Sequence, residues 1–134
     1  MTVETGTEIP SWRLDEVLGS QMRLYAAIAR DPNPIHFDRA EAAKRGLGDR
    51  CVTQGPLNLA YIMNMINAWM GPESLREIAI RFTANVFEGD SVVAGGVVTG
   101  VRDDGGERVA DCDVWLEKAD GTRTVQGTAT VALG

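Results

Sequence analysis

The sequence predicts a single α+β domain over residues 1–134, in which a curved antiparallel β-sheet wraps around one long buried helix. Residues 57–70 contain no charged side chain, and a helix that is apolar on nearly every side has to be covered by other parts of the protein. From residue 75 onward, apolar and polar residues alternate in segments separated by turns rich in Gly and Asp, as in antiparallel strands with one buried face. A length of 134 residues suits one domain with a proper core.

The first half of the chain predicts an arm, a short strand and two helices. Residues 1–10 are polar and end in a proline, which is typical of an N-terminal arm, and apolar residues in the range 12–18 indicate a short strand. Ser20 is a candidate N-cap for a helix that ends at the Pro-rich stretch beginning with Asp31. Asp38 is placed to cap a second short helix that stops at a glycine.

The second half predicts the central helix and four strands. Gly55-Pro56 is a recognised helix start, because the first turn of a helix does not need the N–H that proline lacks. The pair Gly95-Gly96 inside a strand indicates a bulge or a close backbone contact. The strands are predicted at 75–86, 92–101, 108–118 and 124–133.

An antiparallel sheet curled around one central helix is the hot-dog arrangement. One sheet around one helix leaves a strand edge and part of the helix surface uncovered. A second copy of the chain would cover both, so we expect a homodimer or a dimer of dimers.

Composition limits the classes of partner and compartment. A net charge of −6 argues against nucleic acid or an anionic membrane as the main partner. No apolar run approaches the length of a membrane span, and the polar start does not resemble a signal peptide, so we expect a cytoplasmic protein. Cys51 and Cys112 are interpreted as small buried hydrophobes. With one histidine and no paired cysteines, no metal site is expected.

The segment from Asp31 to His36 carries the chemistry. It reads Asp-Pro-Asn-Pro-Ile-His and holds an acid and the only histidine of the chain five residues apart. Two prolines stiffen it, because proline fixes its own φ and restricts the residue before it. A carboxylate and an imidazole held in place can share one reacting water. From these six residues alone, a structural histidine at a helix end is equally well supported.

Around this segment the sequence resembles the MaoC-like (R)-specific enoyl-CoA hydratases, a family with the hot-dog fold. The family motif is an aromatic residue, a short helical tail and then Asp-x-Asn-Pro-aliphatic-His, which matches residues 25–36 here. The similarity continues in Phe37-Asp38, in the turn at 86–90 and in the last strand, and so covers nearly the whole chain.

The sequence departs from the family at two places. Members usually have glycine just before the aspartate, where this chain has Arg30. Members commonly read Val-His-Gly-Met at the start of the central helix, where this chain has Gln54 for the histidine and Pro56 for the methionine. These changes point to an altered substrate pocket or to a subunit that works beside a different partner.

The resemblance implies a hydratase that adds water to a trans-2-enoyl-CoA and gives a (R)-3-hydroxyacyl-CoA. Asp31 and His36 would hold the water and move protons on one face, and which of the two is the base stays open. The thioester oxygen needs a donor, and the N–H of Gly55 at the positive end of the central helix is the candidate. Pro56 has no N–H and cannot be a second donor.

The remaining candidates are predicted to contact the substrate. Coenzyme A is part of the substrate, and no separate cofactor is expected. Asn33 is more simply a brace for the loop than a direct contact. The candidate substrate-binding residues are Asn33, Gln54, Lys44, Arg45 and Arg50.

Two alternatives to the hydratase stay open. The same fold supports an acyl-CoA thioesterase, which would release free thiol. The chain is alternatively a subunit of a heteromeric MaoC-type dehydratase, a hypothesis supported by the departures at Arg30 and Gln54.

Overall fold

The computed structural model describes residues 2–134, and within this range it contains five β-strands, three α-helices and one turn of 3-10 helix at Pro34–His36. The strands are β1 (Glu8–Leu14), β2 (Leu75–Phe82), β3 (Val92–Asp104), β4 (Glu107–Lys118) and β5 (Arg123–Ala132). The helices are α1 (Gly19–Ala29), α2 (Arg39–Lys44) and α3 (Gly55–Met70).

The five strands form one antiparallel sheet in the order β1-β3-β4-β5-β2. The sheet buries one face against α3, whose Ile62, Met65 and Ile66 have no exposed surface. Opposite them lie inward side chains of the inner strands, such as Leu116 and Val131. The predicted hot-dog arrangement of a sheet around a central helix is therefore confirmed.

The Gly95-Gly96 pair is a place of close contact and also lies at a bulge between β1 and β3. A Cβ on Gly95 would lie 2.5 Å from Nε1 of Trp115, and one on Gly96 would lie 2.9 Å from the carbonyl oxygen of Asp113. Real Cβ atoms do not approach so closely, so glycine is required by packing across β3 and β4. On the other side of β3, Ile9 pairs with Gly96 and Trp12 with Ala94, so two residues of β1 lie opposite Gly95. A second register shift, between β3 and β4, lies between Val98 and Gly100.

Three details differ from the sequence-based expectations. The predicted arm is partly sheet, because β1 begins at Glu8 and Val3 and Ile9 are buried. Ser20 lies inside α1 and does not cap it; the N-cap is Leu18, which makes no side-chain capping bond. The strand predicted at 75–86 is shorter, because β2 ends at Phe82.

One face of α3 is exposed to solvent in the single chain. Pro56, Met63 and Asn64 on this face are exposed, and none of them is charged. The structure thus agrees with the expectation that one sheet leaves part of the helix surface uncovered.

Candidate active site

Asp31 is placed by the way α1 ends. The helix stops at Ala29, and Arg30 takes a left-handed conformation with φ of 54° before the chain turns out of the helix. The N–H of Asp31 still donates to the carbonyl of Ala26 at 2.9 Å. Its Oδ1 accepts the N–H of Asn33 at 3.1 Å, which leaves Oδ2 free to face His36.

Asn33 braces the loop between the two catalytic candidates. Its side-chain Oδ1 accepts the N–H of Ile35 at 3.3 Å and so caps the 3-10 turn that carries His36. The same oxygen accepts a bond of 3.3 Å from Nη1 of Arg45. These contacts give Asn33 a bracing role, and the contact with substrate stays a prediction.

The ring of His36 is held by a bond of 2.6 Å between Nδ1 and the carbonyl oxygen of Val52. A carbonyl can only accept, so Nδ1 carries the proton, and in the neutral ring the lone pair is on Nε2. Nε2 lies 3.6 Å from Oδ2 of Asp31, and the side chain of His36 is only 11% exposed. The structure thus brings Asp31 and His36 together, with two acceptor atoms facing each other.

Two acceptors at this separation can both reach one water molecule. A distance of 3.6 Å is longer than a direct hydrogen bond, while a water has two protons and can donate one to each atom. The side chain of Asp31 is 32% exposed, so solvent reaches the pair from one side. The arrangement can therefore bind and deprotonate a water.

Asp31 also forms part of the wall of a cleft of about 370 Å³, whose other lining residues are Arg23, Ala26, Ala27, Pro32 and Phe37. A larger depression of about 450 Å³ lies on the sheet around Trp115 and Gln126 and contains none of the candidate residues. We favour the smaller cleft as the substrate entrance because it includes one of the two acceptor groups.

Gly55 begins α3 three residues after Val52, the partner of His36. The first N–H groups of a helix have no partner within the helix, and among residues 2–134 the Gly55 N–H donates to no protein acceptor. A Cβ at this position would lie 3.0 Å from Cζ of Phe82, a side chain that is 54% exposed. The missing side chain leaves room for the Phe82 ring beside the helix start.

Gln54 does not lie on the cleft surface. Its side chain is completely buried, and Nε2 donates to the carbonyl oxygen of Met22 at 2.9 Å, which ties the start of α3 to α1. We therefore leave Gln54 out of the proposed substrate contacts. The sequence suggested such a contact because Gln54 directly precedes Gly55, the candidate donor to the thioester oxygen. It gave no sign that the Gln54 side chain would instead bond the carbonyl oxygen of Met22.

The three predicted cationic contacts are exposed, and each has a partner in the chain. Lys44 forms an ion pair of 3.3 Å with Glu41, and Arg45 bonds Asn33. Arg50 donates to Oδ1 of Asp90 at 2.8 Å and stands over a phenylalanine ring. Arg45 lies close to the loop between Asp31 and His36 because it bonds Asn33. Binding of substrate by Lys44, Arg45 and Arg50 stays a prediction.

Glu88 is a feature of this region that sequence reasoning missed. Its carboxylate accepts from Nε of Arg39 at 2.7 Å, from Nη2 of Arg39 at 3.1 Å and from the N–H of Cys51 at 3.0 Å. The bonds from Arg39 outweigh burial and lower the pKa of Glu88 to about 2. The sequence holds no signal for this contact, since Arg39 and Glu88 are separated by 49 positions.

Both cysteines are free and buried, as predicted. In the described range 2–134 no group of three or more His, Cys, Asp or Glu side chains is arranged to hold a metal ion. None of the helices described in the same range is long and apolar enough to span a membrane.

Comparison with known proteins identifies relatives of this chain. Residues 3–119 match the MaoC like domain. The chain is 29% identical over 119 residues to the 3-hydroxyacyl-[acyl-carrier-protein] dehydratase FERN, mitochondrial, of Solanum lycopersicum, covering 89% of this chain and 68% of that protein.

Solved structures agree with this result. The (R)-hydratase from A. caviae involved in PHA biosynthesis superposes with a TM-score of 0.88 at 25% identity, covering 100% of this chain and 99% of that one. The ChsH1-ChsH2 complex from Mycobacterium tuberculosis gives a TM-score of 0.83 at 22% identity over 100% of both chains, which shows the shared fold alone. Since the family match spans most of the sequence, the chain belongs to the MaoC-like dehydratase domain family.

Proposed function

We propose that this protein is a hydro-lyase that reversibly adds water to a trans-2-enoyl-CoA thioester and gives a (R)-3-hydroxyacyl-CoA. The observation that carries the proposal is the pair of facing acceptors, Nε2 of His36 and Oδ2 of Asp31, at 3.6 Å. Membership of a family whose relatives include a named hydratase and a named dehydratase supports the same reaction class.

The reaction needs one proton to leave water and one to reach the substrate. Water bound by both acceptors loses a proton to the pair as its oxygen attacks C3, and the pair returns a proton to C2 on the same face. The water thus supplies both the hydroxyl at C3 and the hydrogen at C2, and the pair ends in its starting protonation state. The bond from Nδ1 to Val52 keeps the accepting nitrogen directed at Asp31 throughout.

Negative charge develops on the thioester oxygen before C2 is protonated. The N–H of Gly55 is the proposed donor to this oxygen, because it is free of protein acceptors within the described residues and belongs to the positive end of a helix of 16 residues. Pro56 can add no second N–H, so Gly55 carries this role alone at the helix start.

Coenzyme A is the proposed carrier of the acyl group. Residues 19–50, which contain Asp31 and His36, hold six Lys or Arg and four Asp or Glu, while the whole chain has a net charge of −6. The Arg23 side chain is exposed and lines the cleft at Asp31, which suits a phosphate group. The relative named as an acyl-carrier-protein dehydratase makes that carrier the alternative to test.

A homodimer joined at the edge strand β2 is the proposed assembly. The opposite edge strand, β1, contains Pro10, which cannot donate to a neighbouring strand. β2 has no proline and ends in the exposed Phe82, and the uncharged face of α3 remains uncovered. Sedimentation velocity at micromolar concentration tests the assembly, and a stable, active monomer would contradict it.

The purified chain, assayed alone, tests the reaction and its alternatives. We expect crotonyl-CoA to lose its enoyl absorbance without release of thiol, whereas thiol release would identify a thioesterase. The same acyl group on acyl carrier protein, together with longer and ring-bearing enoyl-CoA thioesters, tests the carrier and the acyl pocket. Activity that appears only after a second MaoC-like chain is added would show a heteromeric enzyme.

A further inference from the structure

We propose that Glu88 is a positioning residue for the imidazole of His36, an inference that rests on the proposed function because His36 acts there as an acid–base group. Glu88 lies in the turn before β3. The polar partners of its carboxylate are Arg39 and Cys51, and those of the His36 ring are Val52 and Asp31. Arg39 and Cys51 belong to the two parts of the chain on which the position of the His36 ring depends.

The first of these parts carries the ring itself. Arg39 begins α2, three residues after His36, and both its Nε and its Nη2 donate to the Glu88 carboxylate. Between His36 and Arg39, Asp38 caps α2 with its own side chain. The backbone from His36 to the Arg39–Glu88 contact, called the anchor below, is therefore short and held by hydrogen bonds. The anchor therefore limits movement of the chain on the C-terminal side of His36.

The second part carries the acceptor for the ring. Glu88 and Cys51 exchange two hydrogen bonds, from the Cys51 N–H to Oε1 at 3.0 Å and from the Glu88 N–H to the Cys51 carbonyl at 2.9 Å. The next residue is Val52, whose N–H donates to Ile35 at 3.0 Å and whose carbonyl accepts from Nδ1 of His36. A shift of Cys51 would therefore move the atom that fixes the ring.

A surface ion pair is the simpler interpretation of Arg39 and Glu88, and such pairs contribute little to stability. Burial distinguishes Glu88 from that case, because its side chain is only 11% exposed although that of Arg39 is 71% exposed. Glu88 also accepts a backbone N–H of the buried Cys51, which would lose its acceptor if the carboxylate moved. The carboxylate is thus shared between the two parts of the chain that hold His36.

Three variants separate positioning from a general effect of charge. In Glu88→Gln one carboxylate oxygen becomes an NH₂ group, which cannot accept from Arg39. Arg39→Gln removes the other end of the same contact at an exposed position, where the fold is expected to persist. Glu107→Gln is the matched control, because Glu107 accepts two bonds from Arg76, at 2.8 and 2.6 Å, in an exposed Arg–Glu pair elsewhere on the sheet.

His36 is the only histidine of the chain, so its ring nitrogens give unambiguous ¹⁵N signals in protein without a histidine tag. We expect Glu88→Gln and Arg39→Gln to shift the Nδ1 signal and to lower kcat roughly ten- to a hundred-fold, the range for a catalytic group misplaced by about 1 Å. KM should change little, and Glu107→Gln should match the parent in both measurements.

The proposal would be overturned if the ¹⁵N signals of His36 in both Glu88→Gln and Arg39→Gln were the same as in the parent. It would also be overturned if kcat fell only in proportion to the fraction of folded protein. The spectrum needs no substrate. If the parent hydrates no enoyl thioester, the proposed function fails, while the position of the His36 ring is still tested by its Nδ1 signal.

Discussion

Replacing His36 with two different amides tests the proposed acid–base pair atom by atom. Asn at this position places its side-chain nitrogen near the site of Nδ1 and can keep the bond to Val52, which is 2.6 Å in the parent. Gln reaches further, near the site of Nε2, and loses that bond. Neither amide can act as a base, so both variants should lose activity, while only His36→Gln should also lose a structural hydrogen bond.

The expected loss follows from what each acceptor does. A positioned acid–base group contributes about 10²- to 10⁴-fold, which at about 1.4 kcal/mol per power of ten is about 3 to 5 kcal/mol of transition-state stabilisation. Asp31→Asn should lose a similar factor, because its Oδ1 can keep the bond from Asn33 while an NH₂ group replaces the oxygen that faces Nε2. Since both groups act on one water, the double variant should be hardly worse than the worse single variant.

The assay is hydration of crotonyl-CoA followed by loss of the enoyl absorbance, with a thermal melt of every variant. His36→Asn should melt near the parent, and His36→Gln should lose about 1 kcal/mol of stability for the broken bond to Val52. Full activity in His36→Asn together with Asp31→Asn would refute the reasoning. Losses that multiply in the double variant would show that the two groups do not share one water.

Three further predictions concern neighbours of this pair. Gly55→Val should lower turnover roughly ten- to a hundred-fold, because the added side chain keeps the thioester oxygen away from the Gly55 N–H. The melting temperature should change little, because the half-exposed Phe82 ring can move aside. Unchanged turnover would remove Gly55 from the site. Arg30→Gly should raise the free energy of unfolding by about 1 kcal/mol in urea titrations, because Arg30 has a φ of 54° that glycine adopts without strain; an unchanged midpoint would mean that the arginine side chain compensates. The folded-state pKa of Glu88 is about 2, below its ordinary 4.5, so its ionisation stabilises the fold above pH 4.5 and this contribution is lost as the pH falls towards 2. In Glu88→Gln the free energy of unfolding should therefore fall less steeply between pH 4.5 and 2 than in the parent. The same pH dependence in parent and variant would contradict the lowered pKa.

The sequence predicted those features that depend on local spacing. Asp31 and His36 are close because two prolines and the Asn33 cap fold five residues into a short turn, so their proximity is encoded within the segment. The limits of α3 were predicted for the same reason, because Gly55-Pro56 and Gly71 mark its two ends. The positions of the later strands along the chain followed from their alternating pattern and their Gly and Asp turns.

Features that depend on distant segments were not predictable. The tautomer of His36 is fixed by Val52, 16 positions away, and its backbone carbonyl leaves no mark on the sequence. The burial of Gln54 depends on the carbonyl of Met22, and the anchoring of Cys51 depends on Glu88. Each of these contacts uses a backbone atom that every residue type offers, so no pattern of side chains indicates it.

The strand order has a consequence for how the protein is made. The three inner strands, β3 to β5, are consecutive and can pair as they emerge, whereas β1 has to wait for β3 and β2 has to wait for β5. During synthesis the segment with Asp31 and His36 is therefore complete long before the turn at Glu88 that holds it. A chain released before Arg123 would contain every proposed catalytic residue and still leave β2 without its neighbour in the sheet.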